Sequence, residues 1–463
     1  MHRDEHAMII GPVRSGKTRN VLLPTLYILG EAHESMLVND PDDALGPLTA
    51  GWLHAQGYRV IRADWETCSK GYVWHPDTSN PTDPFRWNPL TLARTAWDAG
   101  DPSRSAQWMT DLIRSLVPAD QQEELFWNGM AQSLLTGLAF LLFQSAPSNA
   151  CHLTNLDHLL SFPEPVINAW FTQQPANAPV VEAARPYLKI DGELRTQVRV
   201  YSKRLLQPFL RATFAAMGSG DTLDPRVFAD PEVPVALFLH LPKSHPTDLG
   251  PLVTLCLDQW LQGAHALAIA QPQQRLPRRL NWILDEFGTL PIIPHLPRTL
   301  CTGLSHGIRI MLAIQDIHQL QAYDKATRET ILGNCGTWLC LGAKNVDTAQ
   351  EISQRIGQHD YAYTTRQHSG GTGGNPTQTS WGQQIVGRAL LTPDEVMRWP
   401  VGHGLLLQQR ENAARTYLAD LSAWDLPWDR YRAPEYRLFP LAPISLWPET
   451  SSDFPFDIAA QRV

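Results

Sequence analysis

Short, wholly apolar runs that stop at turn residues set the pattern at the start of the chain. Residues 7–10 run into Gly11, and residues 36–38 run into Asn39-Asp40-Pro41; residues 58–61, with Arg59 among apolar residues, read as a third strand. Apolar runs this short, without alternation, predict strands buried on both faces. A helical pattern begins at Ser15, and residues 44–56 look helical between the second and third strands. Strands alternating with helices predict a parallel sheet covered on both sides. From residue 65 to 89 the pattern gives way. Pro76, Pro81, Pro84 and Pro89 stand among Asp, Ser, Thr and Asn, which predicts loop.

Residues 96–217 carry apolar positions at helical spacing throughout, most clearly over 106–116, 123–143 and 193–214. No strand-like alternation interrupts them, so an all-helical domain is expected inside the α/β one. Strand patterns return at 235–241, 281–285, 308–314 and 337–342. Residues 368–382, rich in Gly, Ser and Thr, predict a mobile hairpin loop. Thr392-Pro393-Asp394-Glu395 is a helix start, with Thr as cap, Pro at the first position and Glu reaching back. After Trp424, prolines and tryptophans alternate without a period, which predicts an extended tail on the surface. The expected division is a first part of a nucleotide-binding domain (1–98), an all-helical insertion (99–220) and a second part with the C-terminal tail (221–463).

The 463 residues are enough for roughly two to four domains' worth of material. Hydrophobic residues at 43% and charged ones at 18% suit a packed core and exclude a disordered chain. A formal net charge of −8 argues against a tight, static duplex binder, but not against a motor that grips a strand locally. Cys68, Cys151, Cys256, Cys301, Cys335 and Cys340 form no Cys-x-x-Cys pair, which predicts reduced core thiols in a cytosolic protein. The longest apolar run, 134–143, is shorter than the roughly 20 residues that span a bilayer. With a polar start at His2 to His6, the expectation is a soluble chain.

The candidate chemistry is sharp. Gly11-Pro12-Val13-Arg14-Ser15-Gly16-Lys17-Thr18 fits the phosphate-loop pattern at every fixed position, after a strand and before a helix. The glycines let the backbone curl its N–H groups toward phosphates, and the helix start adds a positive end. Lys17 would reach the β and γ phosphates of ATP, and Thr18 would offer its hydroxyl to Mg²⁺. The apolar run 280–284 ends in Asp285-Glu286, the Walker B pattern. Asp285 would hold Mg²⁺ through water, and Glu286 would orient or deprotonate the attacking water. Gln315, at the end of the strand beside it, is a candidate γ-phosphate sensor or an ordinary loop residue. Arg195, Arg199 and Lys203, with Arg204 and Arg211 nearby, form a basic stripe. It is either a track for nucleic-acid phosphate or a solvated helix face. The 16 histidines show no metal-ligand grouping, so no metal beyond Mg²⁺ is implied, and the 16 tryptophans suit core and subunit interfaces.

The order of these motifs resembles the coupling proteins of type IV secretion and conjugative DNA transfer. The resemblance runs from about Ala7 to Leu421. It takes in Asn39-Asp40-Pro41, Trp87-Asn88-Pro89-Leu90, Leu284-Asp285-Glu286-Phe287-Gly288, Ala313-Ile314-Gln315-Asp316, Ile331-Leu332-Gly333-Asn334-Cys335 and the segment Arg388 to Glu395. It implies a RecA-like P-loop NTPase domain with an inserted all-α domain, and an ATPase that drives DNA into a secretion channel. Lys17, Thr18, Asp285, Glu286 and Gln315 match the family's nucleotide site. The implied partners are single-stranded DNA with its relaxase, or secreted effector proteins, and the channel subunits. The implied assembly is a homo-hexamer at the cytoplasmic face of the bacterial inner membrane, held by helices ahead of the P-loop. Three departures stand out. The P-loop starts ten residues after Met1, which implies a trimmed soluble portion or an anchorless relative, monomeric in isolation. Asp42-Asp43-Ala44 follows Asp40-Pro41 where the family often has Lys-Gly-Glu. Leu304-Ser305-His306 precede Gly307 where the family often has an arginine, so Arg298 or Arg309 would have to act as any trans-acting finger. The rival functions are a cargo-docking receptor that uses nucleotide as a structural switch, and a DNA-processing ATPase outside secretion, as in phage defence.

Overall fold

The computed structural model describes residues 4–65, 70–117, 124–241, 246–369, 378–418, 430–435, 444 and 446–448. Two compact units emerge: residues 1–24 with 311–425, and residues 25–310 with 426–463. In chain order the strands are β1 (Ala7–Ile10), β2 (Ser35–Asn39), β3 (Arg59–Asp64), β4 (Gly71–Trp74), β5 (Asp83–Pro84), β6 (Val235–His240) and β7 (Leu280–Leu284). They continue with β8 (Ile308–Ile314), β9 (Thr337–Cys340), β10 (Gln358–Ser369), β11 (Gln378–Ala389), β12 (His403–Gln408) and β13 (Ala414–Tyr417).

In the first unit β1 is parallel to both its neighbours. Ile10 lies opposite Ile314 of β8 and Cys340 of β9. All four β1 residues are buried, which is why the run is apolar without alternation. β12 adds to β9 antiparallel, and β13 to β12. β10 and β11 form a separate antiparallel ribbon, registered from Gln358 opposite Ala389 to Ser369 opposite Gln378. The loop expected over 368–382 is therefore strand at both ends, and its middle, 370–377, lies outside the described residues. The predicted helix start is present: Thr392 and Glu395 complete a reciprocal capping box on the helix Pro393–Met397.

In the second unit β2 lies between β6 and β7, parallel to both, and β3 is parallel to β6. β4 pairs antiparallel with β3, and β5 with β4. The expected loop over 65–89 thus contains two strands. They are too short to give a periodic signal, and Pro84 is tolerated on the last of them because an edge needs no ladder donor. Among the described residues from 91 to 218 there is no strand. Asp101 caps the helix Pro102–Leu116 and Asp191 caps Gly192–Leu206, each accepting a backbone N–H. The helix Leu125–Ser145 is long and apolar enough to cross a membrane by length and composition. Here Leu134 to Phe143 are buried, covered by the helices Pro179–Leu188 and Gly192–Leu206. A Cβ on Gly137 would stand 2.9 Å from both Ala184 Cβ and Phe171 Cε1, so only glycine lets these helices approach so closely.

Two further expectations are corrected. The single helix over 193–214 stops at Leu206 and continues as a 3₁₀ turn, Gln207–Phe209, before the helix Ala212–Gly218. Pro208 is the cause, since it lacks the amide and crowds the preceding turn. Cys151, Cys256, Cys335 and Cys340 are buried, but Cys301 is exposed, and Cys68 lies outside the described residues. Most of the tail after Trp424 also lies outside them. Its described part returns to the second unit, where the Arg62 guanidinium and the Tyr72 hydroxyl both donate to the Pro434 carbonyl.

Candidate active site

Each unit carries one part of the expected chemistry. In the first, β1 ends at Ile10 and the Gly11 N–H donates to Ile314 O at 3.1 Å. Ser15 N–H closes a turn onto Pro12 O. Arg14 (φ 65°) and Gly16 (φ 92°) are both left-handed, and this curls the backbone into a concave loop. A Cβ on Gly16 would meet Asn20 Nδ2 at 2.8 Å, so the residue is fixed by both conformation and space. A helical segment opens immediately after, at Lys17–Leu22. Lys17 is buried, and its ammonium donates to Gly11 O at 2.6 Å and Pro12 O at 3.4 Å. Val13 and Arg14 are exposed at the loop tip, while Thr18 is half-buried.

The loop fits a phosphate. Ser15 Oγ is buried without a hydrogen-bond partner, and a Cβ on Gly11 would come within 2.6 Å of it. A hydroxyl kept dry and unmatched inside a curl of amides is what an anion's oxygens would satisfy.

Gln315 belongs to the same unit. It directly follows Ile314, whose carbonyl receives the Gly11 amide, so the structure brings Gln315 beside the start of the loop. Its own amide donates to Gln319 Oε1 at 2.7 Å. Asp316 then caps the 3₁₀ segment Ile317–Ala322. Gln319, which fixes the Gln315 backbone, gave no motif signal.

Asp285 and Glu286 follow β7 in the second unit, and both are buried. The Glu286 N–H donates to Asp285 Oδ1 at 2.9 Å. Glu286 is left-handed at φ 49°, a conformation that costs a non-glycine residue about 1–3 kcal/mol. It is held there by Thr289, whose amide and hydroxyl both donate to Glu286 O at 2.8 Å. Asn39 is fully buried opposite Leu284, and its Nδ2 donates to Asp285 O at 2.6 Å. Asn39 is thus a positioning residue for the acidic turn; the sequence marked it only as part of a strand-ending motif. Its neighbour Asp40 accepts the amides of Ala44, Leu45 and Gly46 at 2.7–2.9 Å and starts the helix Leu45–Ala55. Burial raises the Asp40 carboxyl above its ordinary pKa despite those amides.

The basic stripe is occupied by its own fold. Arg195 bonds Asn168 Oδ1 at 2.8 Å and pairs with Glu164 at 3.0 Å. Arg199 donates to Phe162 O, and Lys203 to Ser161 Oγ. These contacts pin the helix to its neighbours, so the stripe is a packing face. Arg309 donates to Asn281 Oδ1 at 2.7 Å and Glu34 Oε2 at 3.0 Å. It is committed within its own unit and is poorly placed to act on another subunit. Arg298 is exposed.

A family model for type IV secretory system conjugative DNA transfer matches residues 1–417. A conjugal transfer protein TraG of Escherichia coli is 26% identical over 417 residues, covering 86% of this chain and 62% of that protein. The coupling protein TraD of E. coli (strain K12) is 21% identical over 321 residues, covering 68% and 42%. The chain therefore spans 62% of the length of the TraG protein it resembles. Among solved structures, the bacterial conjugative coupling protein TrwBdeltaN70 in complex with sulphate superposes with a TM-score of 0.65 at 16% identity, over 90% of this chain and 86% of that one. TrwB in complex with ADP and Mg²⁺ gives 0.63, again at 16% identity, over 90% and 86%. At that identity the likeness establishes the fold, a RecA-like P-loop NTPase domain with an all-α domain.

Proposed function

Because the chain belongs to the type IV secretory system conjugative DNA transfer family, we propose that it is the ATP-hydrolysing part of a coupling protein that drives DNA into a secretion channel. The observation that carries this is the loop Gly11 to Thr18, with its two left-handed residues, its enclosed lysine and the buried Ser15 hydroxyl. The structures of TrwB with an ATP analogue and with ADP and Mg²⁺ support nucleotide and Mg²⁺ as ligands.

In this proposal the amides from Gly11 to Thr18 cradle the phosphates, and Lys17 neutralises the β and γ groups. Thr18 and Asp285 supply the hard oxygen donors that Mg²⁺ prefers. Bound Mg²⁺ would neutralise charge that develops on the phosphate oxygens. Glu286 orients and deprotonates the attacking water, its position set by Thr289 and the Asp285 carboxylate. Gln315 senses the γ-phosphate from the strand beside the loop. Residues 99–220 act as the inserted all-helical domain. The cargo is single-stranded DNA with its relaxase, delivered to channel subunits by a homo-hexamer at the inner membrane.

The test is ATP turnover with and without single-stranded DNA across a salt series. The motor reading expects stimulation that falls steeply as salt rises. A cargo receptor would be indifferent to DNA and respond to effector peptides instead; that outcome would replace the motor with the receptor.

A further inference from the structure

Three guanidiniums gather in one cleft of the second unit. Arg104 and Arg114 lie on the helix Pro102–Leu116, and Arg298 on Leu296–Thr302; the third wall is the long helix Pro246–Ala270. The cleft has a volume of about 600 Å³, a size typical of ligand sites. All three arginines are exposed. None has an ion-pair partner among the described residues, in contrast to Arg59, Arg62, Arg94, Arg195, Arg279 and Arg309, which are paired.

The floor of the cleft is rigid. Asp258 is buried, and its carboxylate accepts the His295 amide and ring Nδ1, both at 2.8 Å, and Gln262 Nε2 at 2.9 Å. This ties the start of the Arg298 helix to the long helix. Burial works against a charge on His295, but the Asp258 hydrogen bond and charge outweigh it and raise its pKa. The Asp111 carboxylate accepts both contacts from Gln107 Nε2, at 3.1 and 3.2 Å. His265 packs edge-on against His306, and its Nε2 is buried without a hydrogen-bond partner. Burial, with His306, Arg298 and His295 nearby, holds the His265 pKa down to about 4, so its ring is neutral. Three arginines against Asp111 and Asp258 leave this cleft positive, within a chain of formal net charge −8.

We propose that this cleft is where the chain holds single-stranded nucleic acid, with Arg104, Arg114 and Arg298 on successive phosphates and Trp108 stacked on a base. Guanidiniums pair with phosphate oxygens in a planar fork. Arg104 and Arg114 are ten residues apart on one helix, a rise of about 15 Å, too far to share one phosphate, so a polymer fits better than a mononucleotide. Trp108 lines the cleft between them and is half-buried. Stacking on it requires an unpaired base, which selects a single strand and not a duplex, and tolerates any sequence. The assignment rests on the reading of the chain as a DNA-transfer motor, and gives that reading a location that the stripe on Gly192–Leu206 does not provide.

Fluorescence anisotropy of the full chain with labelled oligothymidylate at low salt tests it. Arg104→Glu with Arg114→Glu should weaken binding by about tenfold or more and flatten its salt dependence. Trp108→Ala should weaken it several-fold and Trp108→Phe should restore it. Arg185→Glu, on an exposed face elsewhere, should leave it unchanged. Melting curves verify that each variant is folded, and Arg104→Gln with Arg114→Gln gives a milder pair if the reversal unfolds. If wild type binds DNA and the folded double variant binds equally well, the cleft is wrong while the motor reading stands. If wild type binds no DNA, both fall. Binding of polyglutamate in place of DNA, lost in the same variants, would make the cleft a peptide site and overturn the assignment.

Discussion

Two strand ends carry the proposed chemistry, and they reach their shapes by different means. After β1 the chain turns through left-handed Arg14 and Gly16, and at Gly16 no side chain resists the conformation. After β7 it turns through left-handed Glu286, where one does. The first turn is encoded locally, by glycines and the helix that follows. The second combines a distant group with a near one: Asn39, from another strand, on the Asp285 carbonyl, and Thr289, three residues on, on the Glu286 carbonyl. A residue kept in a costly conformation by its hydrogen-bond partners points to a function for its side chain.

The largest effect should come from the first turn. Lys17→Ala removes the ammonium enclosed by the loop, and turnover should fall about a thousandfold or more, with weakened nucleotide binding. Steady-state ATPase and nucleotide titration measure both. Next, Glu286→Gln should keep nucleotide binding and lower turnover by about 10²–10⁴-fold. Near wild-type turnover would remove Glu286 from the catalytic role. The comparison sharpens with Glu286→Gly, which should be equally inactive yet more stable by roughly 1 kcal/mol, because glycine relaxes the left-handed turn. Urea denaturation decides that; a loss of stability would mean that the Glu286 side chain, not the strain, dominates. Asn39→Ala should cost about 1–3 kcal/mol by leaving buried groups unmatched, and lower turnover with little change in nucleotide affinity. Smallest of all, Thr289→Val should cost about 0.5–1.5 kcal/mol through one lost hydroxyl bond, visible as a modest shift in the denaturation midpoint.

Assembly supplies a further check. Leu304 and Ser305 stand where an arginine is often found in the family, and Arg309 is bonded within its own unit. The isolated chain should therefore be a slow ATPase, with rate per subunit rising with protein concentration as subunits meet. A fast rate independent of concentration in a proven monomer would show a site complete in one chain.

Much of this was legible in the residues. β1 and the loop after it were readable because burial on both faces demands an unbroken apolar run and a tight phosphate curl demands glycine. The capping box at Thr392 and Glu395 was readable because all its partners lie within four residues. The all-helical stretch was readable from its spacing, though Pro208 broke a helix that the periodicity alone carried through. β4 and β5 were not readable, because strands of four and two residues exist only through pairing, β4 with β3 and β5 with β4.

The sequence by itself determined the glycine-rich loop after β1, the acidic strand end and the alternation that makes the central strands parallel. These depend on neighbours in the chain, where residue type dictates backbone shape directly. Only the tertiary structure decided which charges are free. Arg195, Arg199 and Lys203 looked like a track at helical spacing, yet Glu164, Asn168, Phe162 and Ser161 consume them. Arg104, Arg114 and Arg298 carry no shared pattern, yet the packing of two helices against a third brings them to one cleft. Spacing along a helix fixes which face a charge occupies, but its partner comes from whatever packs against that face, and that is set by long-range contacts.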